Sequence, residues 1–255
     1  MKTKAVQLAE QIRDSSRIVI LTGAGISTAS GISDFRSPGG VWDRYDPEDL
    51  NFQSFLGSEE SRKIYWKFHR DFALPMKRAK PNAAHYALVE LERMGKLERI
   101  VTQNVDNLHQ RAGSSPEKII EIHGTAFKVR CLECGADFNR DEIDQRLDGG
   151  EEVPRCDFCR GLLKPATISF GQPMPEKETT ESFEMARACD FFVVLGSSLV
   201  VYPAASLPLE AVNSGAKLAI VNLTSTPYDS YAELVIHARC DEVMGEVMDF
   251  LLEKN

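Results

Sequence analysis

Four short apolar runs constrain this chain most: 17–21 (RIVIL), 98–102 (ERIVT), 191–195 (FFVVL) and 217–222 (KLAIVN). None alternates polar with apolar residues over its length, so a strand built from any of them is covered on both faces. Helical patterns lie between them. Residues 5–14 place Ala5, Leu8, Ala9 and Ile12 at helical spacing; 82–94 is a second such stretch, closed by Gly95, and 203–213 a third. Buried strands alternating with helices predict an α/β protein with a Rossmann-like, mostly parallel sheet flanked by helices. In such sheets ligands sit beyond the carboxyl ends of the strands, and three of these runs end in small or polar residues.

Two stretches break the rhythm. Residues 37–80 open with Ser37-Pro38-Gly39-Gly40 and are rich in aromatic and charged residues, as expected of an inserted helical module. Residues 127–164 hold two C-x-x-C pairs and the turn-forming Asp148-Gly149-Gly150. The expected division is therefore a Rossmann-like nucleotide-binding domain from 1–36, 81–126 and 165–255. The modules 37–80 and 127–164 form a smaller domain with a helical and a zinc-binding part.

The chain has 255 residues, 43% hydrophobic and 27% charged, enough apolar material for a sizeable core. Its formal charge of −8 argues against direct nucleic-acid binding, which needs clustered Lys and Arg to neutralise phosphates. No apolar run approaches the ~20 residues that span a bilayer. The first residues lead into an amphipathic stretch and not a signal-peptide core, so the expected location is cytoplasmic, with no membrane partner.

Four motifs carry chemistry. Thr22-Gly23-Ala24-Gly25-Ile26-Ser27 follows a strand directly, and its glycines let backbone N–H groups approach a phosphate at a helix start. It is not the full G-x-G-x-x-G, and a glycine turn is also ordinary packing. Cys131, Cys134, Cys156 and Cys159 form two C-x-x-C pairs separated by 21 residues. That spacing fits one structural zinc held by four thiolates, with no open position for water. The remaining Cys189 and Cys240 are expected to be reduced and buried. Thr102-Gln103-Asn104-Val105-Asp106 ends a strand with amides and a carboxylate suited to a ribose or carboxamide; Asn104 or Asp106 serves equally well as a helix cap. Finally, His123-Gly124 follows the apolar 119–122, where an imidazole titrating near neutrality can act as a general base.

In this order the motifs resemble the sirtuin family of NAD-dependent protein lysine deacylases. The similarity is carried by Gly23-Ala24-Gly25-Ile26-Ser27, Gly31-Ile32-Ser33-Asp34-Phe35-Arg36-Ser37, Thr102-Gln103-Asn104-Val105-Asp106, His123-Gly124, the cysteine quartet, Phe170-Gly171 and Gly196-Ser197-Ser198-Leu199-Val200-Val201. It implies that Gly23, Ala24, Gly25 and Ser27 hold the NAD pyrophosphate, with Phe35 and Arg36 on a loop over the nicotinamide ribose. Gln103, Asn104 and Asp106 would bind that ribose and the carboxamide, Asn104 also serving catalysis. Gly196, Ser197, Ser198, Asn222 and the backbone near Asp241 would hold the adenosine half. Val105, Ile168 and Phe170 would form an apolar tunnel for the acyl-lysine of a protein or peptide, and Gly171-Gln172 would pair with its backbone. His123 would be the general base in a route through an alkylimidate to nicotinamide, free lysine and O-acyl-ADP-ribose.

The chain departs from the family pattern at Ser33, where a proline is usual, and at Gln172, where a glutamate is frequent. Members that remove succinyl or malonyl groups carry Tyr-x-x-Arg in the helical module. Ile64-Tyr65-Trp66-Lys67-Phe68-His69-Arg70 has no such spacing, which disfavours acidic acyl groups and leaves Arg70 as their one candidate partner. Rival functions are protein mono-ADP-ribosyl transfer, which has less need of His123, and a zinc-ribbon binding module without catalysis. An ordinary NAD oxidoreductase would need a ribose-binding acid about 20 residues past the glycines. Glu48 is the nearest, and it lies in the inserted module.

Overall fold

The computed structural model describes residues 3–253. Chain order begins with helix α1 (Lys4–Asp14), strand β1 (Ile18–Thr22), then α2 (Phe52–Gly57), α3 (Glu59–Arg78) and α4 (Ala83–Arg93). It continues with β2 (Leu97–Thr102), α5 (Leu108–Ala112), β3 (Ile119–Glu121), β4 (Gly124–Cys131), β5 (Asp137–Asn139), α6 (Arg140–Asp148) and β6 (Leu163–Thr167). The last elements are α7 (Glu176–Ala188), β7 (Phe191–Leu195), α8 (Leu207–Asn213), β8 (Lys217–Val221), β9 (Leu234–Ile236) and α9 (Cys240–Glu253).

Six strands form one sheet in the order β3-β2-β1-β7-β8-β9, and every pairing is parallel. All five residues of β1 and of β7 are buried, which is what unbroken apolar runs require. One face packs on α1, α4 and α9 through Leu8, Ile12, Leu88, Met244 and Val247; the other packs on α7 and α8 through Ala186, Leu207 and Ala211. The residues of α1 that go inside are the four at helical spacing, and the Thr3 hydroxyl caps the helix by accepting from the Val6 N–H.

A second, antiparallel sheet of order β5-β4-β6 carries the four cysteines at its end. Its core is small: Val129, Cys131, Ile143, Leu147, Cys156 and Leu163, completed by Trp66 from α3. The two inserted stretches thus share one core, because neither is large enough to bury a core alone.

Chain order reverses between β1 and β7, so the loops after β1, β2, β7 and β8 open around one crevice. Register makes these ends level: Thr22 lies beside Thr102 and Leu195, and Leu195 beside Val221. The expected helix start after β1 is absent. Two single 3-10 turns, Ala24–Ile26 and Thr28–Ser30, stand there instead, and Gly31 at φ +85° ends them. No described helix is long and apolar enough to cross a membrane.

Candidate active site

The crevice contains a cavity of about 480 Å³, within the range of small-ligand sites. Its floor is two interlocked glycine turns. The Gly23 N–H donates to the Leu195 carbonyl and the Gly25 N–H to the Gly196 carbonyl, at 3.1 and 2.8 Å. A Cβ on Gly23 would fall 2.7 Å from the Gly196 oxygen. Gly196 has φ +68°, and its Cβ would meet the Ile26 nitrogen at 2.3 Å. Only glycine fits either turn, which explains why both loops carry it where the strands stop.

Polar side chains cluster above the floor. The Ser27 hydroxyl donates to Asp106 Oδ2 at 2.6 Å, and the Leu108 N–H donates to Oδ1 at 2.9 Å. Asp106 therefore closes the turn that leads into α5 and orients Ser27, while the N-cap position of that helix is Asn107, without a side-chain cap bond. Burial pushes its carboxyl above the usual carboxylate range, against the pull of these donors. Asn104 Nδ2 donates to the Gly23 carbonyl (3.0 Å) and to Ser27 Oγ (3.2 Å), while Gln103 Nε2 reaches Ser197 Oγ at 2.9 Å. Ser27, Asp106, Ser197 and Asn222 are all buried polar groups along this cavity. That is a donor and acceptor set that a nucleotide would satisfy.

His123 sits where β3 passes into β4. Its Nδ1 donates to the Gln103 carbonyl at 3.2 Å, which fixes the tautomer and leaves Nε2 as the free acceptor. Burial holds its pKa below the ordinary 6.5, only partly opposed by that hydrogen bond, so the ring is neutral at pH 7. Gly124 at φ +72° lets β4 cross against β6; a Cβ there would lie 2.0 Å from the Ala166 oxygen. The His123 carbonyl accepts from the Ile168 N–H (2.9 Å) and the Val105 carbonyl from the Ala126 N–H (3.1 Å). These bonds tie the segments of Val105 and Ile168 to the His123–Ala126 stretch, and both residues line the cavity with the imidazole.

Gly23, Ala24, Gly25, Ser27, Phe35, Arg36, Gln103, Asn104, Val105, Asp106, His123, Ile168, Phe170, Gly171, Gly196, Ser197, Ser198 and Asn222 all line the cavity. Asp241 does not. Its carboxylate is held by the Arg239 guanidinium at 3.0 and 3.1 Å, and Arg239 and Cys240 line the cavity instead. Arg70 is also elsewhere, paired with Asp148 at 3.0 Å on the exposed side of α3. Gly171 has φ +76° and Ser169–Gln172 closes as a turn, so this segment is not extended. Trp42, Tyr65 and His69 line the cavity without having been singled out. Trp42 stacks between Phe35 and Phe170, with ring centroids 5.2 and 6.3 Å away. Aromatic residues in the inserted stretch were visible, but nothing local told which of them face the cleft.

At the other end, the four cysteine Sγ atoms lie within 4.8 Å of one another. Cys131 and Cys159 are 3.5 Å apart, Cys134 and Cys156 3.7 Å. A tetrahedral zinc with bonds of about 2.3 Å needs sulfurs roughly 3.8 Å apart, so the quartet fits that ion. Cys189 and Cys240 are buried and unpaired.

Residues 23–203 match the model of the Sir2 family. A protein of Pyrobaculum aerophilum named NAD-dependent protein deacetylase 1 is 44% identical over 245 residues, 96% of this chain and 94% of that protein. A Sir2 structure with a deacetylated p53 peptide and 3'-O-acetyl ADP-ribose superposes with a TM-score of 0.91 at 39% identity, covering 97% of this chain and 98% of that one. Sir2Tm bound to a propionylated peptide gives 0.88 at 38% identity, over 97% and 98%. With its interlocked glycine turns, its fixed imidazole and its thiolate quartet in place over nearly the whole length of these relatives, the chain belongs to the Sir2 family.

Proposed function

We propose that the protein is an NAD-dependent protein lysine deacylase. It converts an acyl-lysine, NAD and water to free lysine, nicotinamide and O-acyl-ADP-ribose. The observation that carries the reading is His123: a neutral imidazole with Nδ1 tied down and Nε2 free, beside the polar cluster of Asn104, Ser27 and Asp106. Family membership and relatives named as NAD-dependent deacetylases and deacylases support it.

Bound NAD supplies the ribose carbon that the acyl oxygen attacks, with nicotinamide as the leaving group. The chain's own residues then have distinct tasks. Gly23, Ala24, Gly25 and Ser27 present backbone N–H groups and a hydroxyl to the pyrophosphate, where side chains would collide. Asn104, Gln103 and Asp106 orient the nicotinamide ribose. Gly196, Ser197, Ser198 and Asn222 hold the adenosine half, with the Arg239–Asp241 turn below it. Phe35, Arg36 and Trp42 exclude water over the reacting ribose. Val105, Ile168, Phe170 and Gly171 guide the neutral acyl-lysine; a protonated lysine is costly to bury there, which favours product release. His123 Nε2 takes the ribose hydroxyl proton. Residues 1–36, 81–126 and 165–255 act as the nucleotide-binding domain and 37–80 with 127–164 as the small domain, stapled by one zinc. A reducing cytoplasmic setting suits the four free thiolate ligands.

The test is mass spectrometry of an acetyl-lysine peptide incubated with the protein. Loss of the acetyl mass only with NAD, together with O-acetyl-ADP-ribose and nicotinamide, is the expected result. ADP-ribose mass on a protein target without deacylation would replace the reading with transfer.

A further inference from the structure

The end of β6 that enters the cleft is irregularly paired. Its register against β4 shifts between Gly124 and Val129, where β4 spends more residues than the facing Pro165–Thr167. Backbone groups beside such a shift leave the regular ladder and need other partners. A side chain supplies one. The Lys164 ammonium donates to the Thr167 carbonyl at 2.5 Å and to the Pro165 carbonyl at 3.4 Å, and it lies 5.2 Å from the Tyr65 ring centroid.

Lys164 is 1% exposed and does not line the cavity. Among the described residues it forms no ion pair with a carboxylate; its contacts are the two carbonyls and the ring. His69 nearby adds no anion, because burial and the charges of Arg140 and Lys164 hold its pKa well below 6.5 and the ring is neutral. A buried ammonium without a counter-ion is costly. The core beside it, from Trp66 to Leu163, is apolar and closes without it. What the ammonium does fix is the course of the residues that follow.

Residues 167–170 are held at every step. Tyr65 Oη lies 2.9 Å from Ser169 Oγ and 3.3 Å from Thr167 Oγ1, so the ring that meets the ammonium also holds two hydroxyls. The Ile168 N–H donates to the His123 carbonyl, and the Phe170 carbonyl accepts from the Phe52 N–H, both at 2.9 Å. Ile168 and Phe170 line the cavity, and Ile168 is one hydrogen bond from the backbone of the general base. A displaced Thr167 carbonyl therefore shifts Ile168 against the imidazole. The glycine turns stand on β1 and β7, in the other sheet, and are not moved by it.

We propose that Lys164 is a positioning residue for deacylation: through the Thr167 carbonyl and the Tyr65 ring it sets Ile168 and Phe170, and with them the acyl-lysine, against His123. It touches neither substrate nor cofactor, and its role rests on the deacylase reading.

The experiment measures kcat and KM for an acetyl-lysine peptide, NAD affinity by calorimetry and the melting temperature. Lys164→Met keeps the apolar stem and removes the charge and the donors. Its peptide kcat/KM is expected to fall about tenfold or more, the worth of a hydrogen bond from a charged donor. NAD affinity stays within about twofold and the melting temperature within a few degrees, since an apolar residue replaces a buried charge at little cost to the fold. Lys164→Arg keeps charge and donors and is expected to hold kcat/KM within about threefold of the wild type. Normal peptide turnover in Lys164→Met overturns the proposal, as does an equal loss in Lys164→Arg. A loss shared by peptide turnover, NAD affinity and melting temperature alike marks a merely structural lysine and overturns it too. Should Lys164→Met not fold, Tyr65→Phe tests the same link, because it keeps the ring and drops only the hydroxyl. Peptide kcat/KM then falls with NAD affinity unchanged, and normal turnover in that variant overturns the proposal. Failure of the wild type to turn over the acetyl peptide removes the deacylase reading instead.

Discussion

At the scale of single residues, the cleft sets proton positions by burial and fixes tautomers by backbone carbonyls. His123 is the clearest case. Replacing it with alanine removes the base but touches neither glycine turn, so kcat/KM is expected to fall by about 10²–10⁴. NAD affinity, read by calorimetry, should stay within a few-fold; full activity in that variant would end its role. The sign of the pH dependence follows from its lowered pKa. The neutral form is the active one, so activity is lost on acidification as pH drops through the folded value, which lies below 6.5. An acid limb at or above 6.5 in the kcat/KM profile would contradict this. The sequence made His123, Asn104 and the glycines legible because each closes a strand or turn where chemistry forces the residue type. His69 was not legible. A histidine in a helix announces neither which wall it faces nor that Lys164, ninety-five positions later, will lie near it.

At the scale of elements, the strands that could be read were those whose burial is uniform. β1, β7 and β8 are apolar apart from Thr22 and Lys217 at their ends, and they lie within a residue of the expected ranges. β9 has three residues, too few to show a period, and α7 buries only Ser182 and Ala186, too little for an apolar stripe. The loop after β1 departed from expectation for a local reason: Ser27 is committed to Asp106 and Gly31 turns the chain left-handed, so an α-helix cannot start there. Its rigidity comes from the opposing turn. Gly196→Ala combines a left-handed φ with a 2.3 Å clash. It is expected to cost at least about 1–3 kcal/mol and to weaken NAD binding more than tenfold, measured by thermal melting and calorimetry; a normal melt with normal affinity would show the interlock to be slack. The zinc module makes a complementary case. Cys156 is buried in a core of seven residues, so Cys156→Ser is expected to lose metal and melting temperature together. Retention of one zinc at an unchanged melting point would count against a structural ion.

At the scale of the whole molecule, the sheet face that supports the cleft also carries a pH sensitivity. His85 and His109 are buried with ring centroids 5.1 Å apart. His85 Nδ1 accepts from the Asn82 N–H, leaving a protonated Nε2 without a partner; His109 Nε2 contacts Thr22 Oγ1 at 3.0 Å, and that hydroxyl already donates to Thr102. His109 Nε2 is then the donor and its Nδ1 the bare acceptor, so the two unsatisfied nitrogens are complementary while both rings are neutral. Burial holds His85 down to about 4, and burial with the His85 neighbour holds His109 well below 6.5. A histidine with a depressed folded pKa contributes stability that is whole above 6.5 and is lost as pH falls from there through the folded value, at about 1.4 kcal/mol per pH unit per ring. Asp106 and Glu121 act in the other sense, because burial raises them and acidification relieves their charge. The net fall is therefore what the two histidines lose on acidification less what those raised carboxyls return. The denaturant midpoint is accordingly expected to drop steeply between pH 6.5 and about 5, and His85→Gln to flatten that slope by roughly one ring's share. Because Thr22 joins His109 to the start of the glycine turn, NAD affinity should decline over the same interval. A flat midpoint from pH 7 to 5, or the same slope in His85→Gln, would show that the pair is not held neutral by the fold.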